Sequence, residues 1–160
     1  MLDNLPETLI VIPQDSAWKY SNLAFGLTGE VVFRITGVPY IEYLYANVIA
    51  ALGLESAVSD LTDELRPHFF VGYNSMLYQD RPERPPYAHL NGISSTGQLH
   101  SRVSDLAKWV SFQFRTDGAI RRGEQVLDGR TLAEIERPQY VEPDWSAGQC
   151  LGRRATRVGN

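Results

Sequence analysis

The sequence predicts a mainly α-helical chain with strand-like sequence at its C-terminus. Three stretches repeat apolar residues at every third or fourth position, which is the period of a helix with one buried face. Residues 55–100 break this period and contain several prolines, so we expect mostly loop there. The helical part therefore spans residues 20–140, and residues 148–158 form the strand-like end.

The first predicted helix follows Asn22. Its apolar positions form one face, and neighbouring apolar residues widen that face, which predicts a helix buried on much of its surface. These positions are Leu23, Leu27, Val31 and Ile35, with Phe25, Val32 and Phe33 beside them. Gly37 lies where a C-terminal cap belongs, because glycine readily adopts the left-handed backbone conformation that ends a helix.

Three further helices follow from the same signals. Pro39 opens the second and Gly53 ends it. The third has an apolar face and a serine cap, and the fourth has a capping box before Pro138. The face is Val103, Leu106, Val110 and Phe114, the cap is Ser101 or Ser104, and the box is Thr131 with Glu134. Asp117-Gly118 marks a turn between these two helices.

Composition and charge narrow the function classes. A chain of 160 residues with 43% hydrophobic and 21% charged residues is an ordinary globular chain, long enough for one core. A net charge of −4 gives no electrostatic footprint for nucleic acid. No apolar run is long enough for a membrane span or a secretory signal. The single cysteine, Cys150, excludes an intramolecular disulfide, and the localisation stays open.

The triplet Tyr20-Ser21-Asn22 is the strongest candidate for chemistry. On an extended segment, side chains two residues apart point to the same side. Tyr20 could then offer a phenol that exchanges a proton, and Asn22 a carboxamide that donates and accepts hydrogen bonds. Such a pair suits the binding and protonation of a substrate beside a nucleophile. The alternative is that Asn22 only caps the helix that follows.

The residues around and after the triplet form an ordered pattern. The segment Trp18 to Leu27 comes first, and several motifs follow it at later positions. They are Thr36-Gly37-Val38-Pro39-Tyr40, Ala51-Leu52-Gly53-Leu54, Gly92-Ile93-Ser94-Ser95-Thr96, Ser104-Asp105-Leu106-Ala107-Lys108-Trp109 and Arg137-Pro138-Gln139. In this order they resemble the serine β-lactamase-like hydrolases, a superfamily of class C β-lactamases, penicillin-binding proteins and related esterases. Local departures at Ala51, Leu54 and Arg153 concern packing more than chemistry.

The resemblance implies an α+β fold of the β-lactamase/transpeptidase type. This chain would supply its helical subdomain with a trailing C-terminal strand, the central antiparallel sheet being largely missing, so that residues 1–160 form a partial domain. The implied reaction is attack of a serine on an amide or ester, with an acyl-serine intermediate that water hydrolyses. Tyr20 would be the general base or acid, and Asn22 would bind the acyl amide and orient a lysine. The implied substrates are β-lactams, D-amino-acid peptides or esters, with no cofactor.

Two of the three catalytic motifs of that superfamily are absent from the 160 residues. These are the Ser-x-x-Lys motif and the Lys-Thr-Gly or His-x-Gly triplet. Ser16-Ala17-Trp18-Lys19 has the first spacing, but it abuts Tyr20 and cannot face that tyrosine from a separate helix. We therefore expect an internal fragment that is inactive alone and that associates through exposed apolar surface. The alternative is a non-catalytic binding or structural remnant of the fold.

The remaining candidates favour structural roles. His68, His89 and His100 form no metal-ligand spacing, so no metal site is expected. A triad of Ser94, His89 and Asp105 is a weaker alternative, because triads are defined by geometry. The other polar groups read as solvated surface or as packing. These are the acidic residues Asp60, Asp63 and Glu64, the arginines Arg153, Arg154 and Arg157, and Cys150.

Overall fold

A computed structural model describes residues 2–13, 16–74, 83–114 and 126–158. It confirms a mainly helical chain with a small antiparallel sheet. The helices are α1 (Asn22–Thr36), α2 (Tyr40–Leu44), α3 (Ala50–Leu52), α4 (Val103–Gln113) and α5 (Gly129–Glu136). A π-helical turn, Tyr45–Ile49, joins α2 to α3, and 3₁₀ helices lie at Leu2–Glu7, Arg66–His68 and Asn91–Thr96. The strands are β1 (Tyr140–Val141), β2 (Ala147–Cys150) and β3 (Arg153–Thr156).

Both glycine caps occur where the sequence predicts them. Gly37 ends α1 with a left-handed φ of 71°, and its N–H donates to the Phe33 carbonyl at 2.8 Å. Gly53 ends α3 with a φ of 64°. Each glycine stops a helix because it adopts a conformation that strains other residues, and the chain then turns back.

The expectation of a largely buried α1 is wrong. The buried residues of α1 are Gly26 and Gly29, while Ile35 is 80% exposed and Val31 54% exposed. The Asn91–Thr96 helix packs on the glycine face, because a helix without side chains there admits a close neighbour. The opposite apolar face is exposed at Val31 and Ile35 and half-buried at Leu23 and Leu27.

The core forms around the second helical stretch, from Tyr40 to Leu52. The apolar spacing of this stretch predicts a face of Ile41, Leu44, Tyr45, Val48 and Ile49, and the last four of these lie in or against the core. Its buried members come from four different parts of the chain. They are Ile49, Leu52, Leu54, Ala57, Phe112 and Leu132. The core therefore joins the α2–α3 unit to α4 and α5.

The predicted face and cap of α4 are both wrong. Val103 is 81% exposed, whereas Asp105 and Phe112 are buried. Asp105 lies two residues after Val103, so on a helix of 3.6 residues per turn their side chains point about 200° apart. The buried face is therefore nearly opposite to the predicted one. Arg102, and neither serine, occupies the N-cap position without a side-chain cap bond. Apolar spacing fails here because the buried face carries a hydrogen-bonded carboxylate.

The capping box predicted for α5 is also wrong. Asp128 is the N-cap, and its carboxylate accepts a hydrogen bond from the Thr131 amide at 2.7 Å. The helix ends at Glu136, before Pro138, as predicted. The turn predicted at Asp117-Gly118 lies outside the described residues.

The strand-like C-terminal stretch forms a sheet of order β1-β2-β3 in which both strand pairs are antiparallel. Instead of one trailing strand, residues 148–158 hold most of a hairpin that turns at Gly152, whose φ is 74°. Gly148 lies against Pro138, since an added Cβ would meet the Pro138 Cβ at 2.8 Å.

Within the described ranges, no helix combines the length and the hydropathy that crossing a membrane requires.

We expect Phe112→Ala to lower the free energy of unfolding by about 3–5 kcal/mol, because it empties a core site that joins α4 to α3. Val103→Ala is the matched control on the exposed face of α4 and should change it by no more than about 0.5 kcal/mol. Urea unfolding followed by circular dichroism measures both. Equal losses would contradict the assignment of the buried face.

Candidate active site

The triplet Tyr20-Ser21-Asn22 lies at the start of α1. Ser21 has an extended backbone and caps the helix, since its Oγ accepts a hydrogen bond from the Ala24 amide at 3.1 Å. The alternative in which Asn22 is the cap is therefore wrong. Asn22 is the first helical residue and is exposed, so the extended path expected for the whole triplet ends at Ser21. Its carboxamide is not used as the cap of α1.

Tyr20 lies beside the first turn of the same helix. Its ring centroid is 6.1 Å from that of Phe25, and the ring planes are inclined by 36°. The side chain is 58% exposed. The phenol is thus held next to α1 while it stays open to an approaching molecule.

The Asn91–Thr96 helix buttresses this end of α1. The Ser95 Oγ donates to the Phe25 carbonyl at 2.8 Å and also lies 3.3 Å from the Gly26 carbonyl. A Cβ at Gly29 would lie only 2.7 Å from the same oxygen, so the contact requires glycine there. In the sequence, Ser95 stands out only as a member of the Gly92-Ile93-Ser94-Ser95-Thr96 motif. The signal that could have located its partner is the pair of glycines three residues apart in an apolar helix.

Ser16 and Lys19 do not form a nucleophile motif. The Ser16 Oγ donates to the Pro13 carbonyl at 2.7 Å, and the segment from Ser16 to Tyr20 is not helical. The Ser-x-x-Lys spacing brings hydroxyl and amine together only when both residues lie on one helix. This agrees with the interpretation that the spacing is accidental.

Asp105, on α4, binds the loop that follows α3. Its carboxylate is 4% exposed and accepts hydrogen bonds from the Lys108 ammonium at 2.8 Å and from the Ser56 hydroxyl and amide at 2.7 Å each. Lys108 also donates to the Gly53 carbonyl, and the Ser56 Oγ accepts from the Arg102 amide at 3.0 Å. The hydrogen bond from Lys108, followed by those from Ser56, lowers the pKa of Asp105 to about 2.

Comparison with known proteins places this architecture in a family. The family model described as Beta-lactamase matches residues 2–153. The chain belongs to the beta-lactamase family. A curated relative, Beta-lactamase-like protein 2 of Dictyostelium discoideum, is 21% identical over 141 residues, which cover 86% of this chain and 24% of that protein.

Solved structures share the fold. A β-lactamase/D-alanine carboxypeptidase from Pseudomonas syringae has a TM-score of 0.71 at 20% identity, covering 96% of this chain and 40% of that one. An octameric penicillin-binding protein homologue from Pyrococcus abyssi has a TM-score of 0.68 at 23% identity, covering 90% and 31%. A class C β-lactamase from Rhodobacter sphaeroides has a TM-score of 0.62 at 18% identity, covering 88% and 42%. The chain thus spans less than half the length of these relatives, and the likeness supports the β-lactamase-type fold.

The alternative triad is not assembled in this beta-lactamase-family chain. Asp105 is bound by Ser56 and Lys108, as described above. His89 instead lies beside Asp60, with its Nδ1 3.2 Å from the Asp60 Oδ1. That oxygen also accepts from the Tyr87 hydroxyl at 3.1 Å. The hydrogen bond from the Leu61 backbone amide is the main cause that lowers the pKa of Asp60.

The other polar candidates lie in local contacts. Asp63 pairs with Arg66 at 3.0 Å on the surface, and the Cys150 Sγ donates to the Glu136 carbonyl at 3.0 Å. Arg154 pairs with Glu142 at 2.9 Å. The described ranges contain no group of three or more histidine, cysteine or acidic side chains arranged to hold a metal ion.

We expect the stability of the chain to fall as the pH drops from about 4 towards 2. An unfolded aspartate has a pKa of ~3.9, whereas that of folded Asp105 is about 2, so the unfolded chain takes up the proton more readily. The stabilisation is therefore complete above the unfolded value and is lost as the pH falls through the folded value. Asp105→Asn should lower the urea midpoint at pH 7, and its difference from wild type should shrink as the pH approaches 2.

Asp63→Asn is the matched control, because its carboxylate forms one ion pair at 98% exposure. Its difference from wild type should stay small at every pH. A deficit of Asp105→Asn that is independent of pH would refute the role of the charge.

Proposed function

We propose that the whole protein is a serine hydrolase of the β-lactamase/penicillin-binding protein type that cleaves an amide or ester through an acyl-serine intermediate. The observation that carries this proposal is the triplet Tyr20-Ser21-Asn22 at the capped start of α1, with Tyr20 and Asn22 exposed, in a chain that belongs to the beta-lactamase family. The Ser-x-x-Lys nucleophile and the Lys-Thr-Gly or His-x-Gly triplet would come from elsewhere in that protein.

Tyr20 acts as the general base or acid in this proposal. An exposed phenol beside the helix can reach a serine hydroxyl that another segment supplies and exchange a proton with it. Asn22 donates its amide N–H to a carbonyl or accepts from an amide of the substrate. Both roles need an unobstructed side chain, and the capping by Ser21 leaves the Asn22 carboxamide available for this.

The proposed substrates are β-lactams, D-amino-acid peptides or simple esters. Two of the similar structures are named as β-lactamases, one of them also as a D-alanine carboxypeptidase, which supports the first two classes. All three classes present an acyl carbonyl to the serine and differ in the shape of the cleft that binds them. The chemistry needs no cofactor.

In the whole protein we expect Tyr20→Phe to slow acylation by a penicillin about 100- to 10,000-fold, the range for loss of a general acid–base group. Asn22→Ala should also slow it, because the substrate loses a hydrogen-bond partner. Tyr43→Phe on α2 is the matched control and should leave the rate unchanged. Stopped-flow or mass-spectrometric acylation kinetics measure this, and equal rates for the Tyr20→Phe variant and wild type would refute the role of the phenol.

The 160 residues alone should not be acylated, because their one Ser-x-x-Lys sequence is not on a helix. The purified chain is incubated with a fluorophosphonate or a fluorescent penicillin and weighed by intact mass spectrometry. Stoichiometric mass addition would refute this part of the proposal. If the whole protein also resists every acylating agent, the non-catalytic binding remnant is favoured instead.

A further inference from the structure

We propose that Ser95 is a positioning residue for the Tyr20–Asn22 motif. The inference rests on the proposed function and concerns the same site. The residue lies 70 positions away from its main partner in the sequence, yet its hydroxyl reaches the first turns of α1 directly after Asn22. It touches the backbone that carries the motif, so it would act on the chemistry through that backbone.

The shorter of the two Ser95 contacts is with Phe25, the residue whose ring neighbours Tyr20. The Phe25 carbonyl accepts the Ser95 hydroxyl at 2.8 Å, and the ring of the same Phe25 lies against the ring of Tyr20. The Phe25 amide donates in turn to the Ser21 carbonyl at 3.3 Å. Phe25 therefore links the Ser95 hydroxyl to the two residues that precede Asn22.

The approach of Ser95 is set by glycine. Gly26 and Gly29 are the buried positions of α1, and an added Cβ at Gly29 would lie 2.7 Å from the Ser95 Oγ and 2.9 Å from its Cβ. Contacts that short do not occur between unstrained atoms, so any side chain there would push the two helices apart. The pair of glycines lets a hydroxyl reach helix backbone that side chains ordinarily cover.

A hydrogen bond of this kind restricts the motif more than it stabilises the fold. The Phe25 carbonyl also accepts the Thr28 hydroxyl at 2.7 Å, so loss of Ser95 leaves it with a partner. The Asn91–Thr96 helix keeps its other contacts with α1 when one oxygen is removed. Removal of the hydroxyl should therefore loosen the start of α1 while the core around Leu52 and Leu132 stays intact.

The test compares Ser95→Ala with Ser94→Ala, a matched serine in the same 3₁₀ helix. Tyrosine ring signals are followed by NMR in the selectively labelled 160-residue chain, together with amide hydrogen exchange. We expect Ser95→Ala to shift the Tyr20 ring signal and to speed exchange of the Ala24 and Phe25 amides about 2- to 10-fold, the scale of one hydrogen bond. The Leu132 amide in α5 should keep its rate.

A second variant probes the contact from the other helix. Gly29→Ala should produce the same Tyr20 shift and faster amide exchange at the start of α1. In a helix with no neighbour at that position, the higher helix propensity of alanine would instead slow exchange about 4- to 5-fold. An unchanged Tyr20 signal in both variants, or a uniform rise in exchange across the chain, would overturn the proposal. These measurements use no substrate, so they fail independently of the acylation experiments.

Discussion

The close approach of the Asn91–Thr96 helix to α1 is the contact on which the candidate site depends. Gly26 and Gly29 remove the side chains from one face of α1, and Ser95 uses the space to bind helix backbone. This fixes a segment from the long loop region against the residues that follow the Tyr20–Asn22 motif. The ring of Tyr20, which is 58% exposed, neighbours the ring of Phe25, the residue whose carbonyl Ser95 binds. The helical cap at Ser21 then sets where the motif ends and the helix begins.

A second set of hydrogen bonds joins the two ends of the loop region. The Asp105 carboxylate binds Ser56 at the end of the α2–α3 unit and Lys108 on its own helix, and an isolated antiparallel bridge joins Val58 to His100 nearby. A buried carboxylate is costly unless its oxygens are hydrogen-bonded, and here three donors satisfy it. Ser56 and Asp105 thus join the two ends of residues 56–105, and Ser95 places the Asn91–Thr96 helix beside α1.

Local signals in the sequence predicted the helices well and their buried faces poorly. Gly37 and Gly53 end helices through their own backbone preference, which a single sequence reveals. Which face of α1 or α4 is buried depends on the segments that pack against it. Apolar spacing predicted burial of Ile35 in α1 and Val103 in α4, whereas the buried positions include Gly29 and Asp105. The triplet at Tyr20 was recognisable because its order of residues is local. The bond from Ser95 was not, because it joins residues whose proximity only the folded chain creates. The catalytic roles of Tyr20 and Asn22 remain predictions.

The most direct measurement of the central claim is a crystal structure of the whole protein after reaction with a penicillin. We expect an acyl-serine adduct whose ester lies beside the start of α1. The Tyr20 hydroxyl should then lie within about 2.6–3.2 Å of the serine oxygen, and the Asn22 amide should bind the acyl side chain. An adduct at a serine remote from α1, or a protein that forms none while Tyr20 and Asn22 contact only other parts of the fold, would contradict the account.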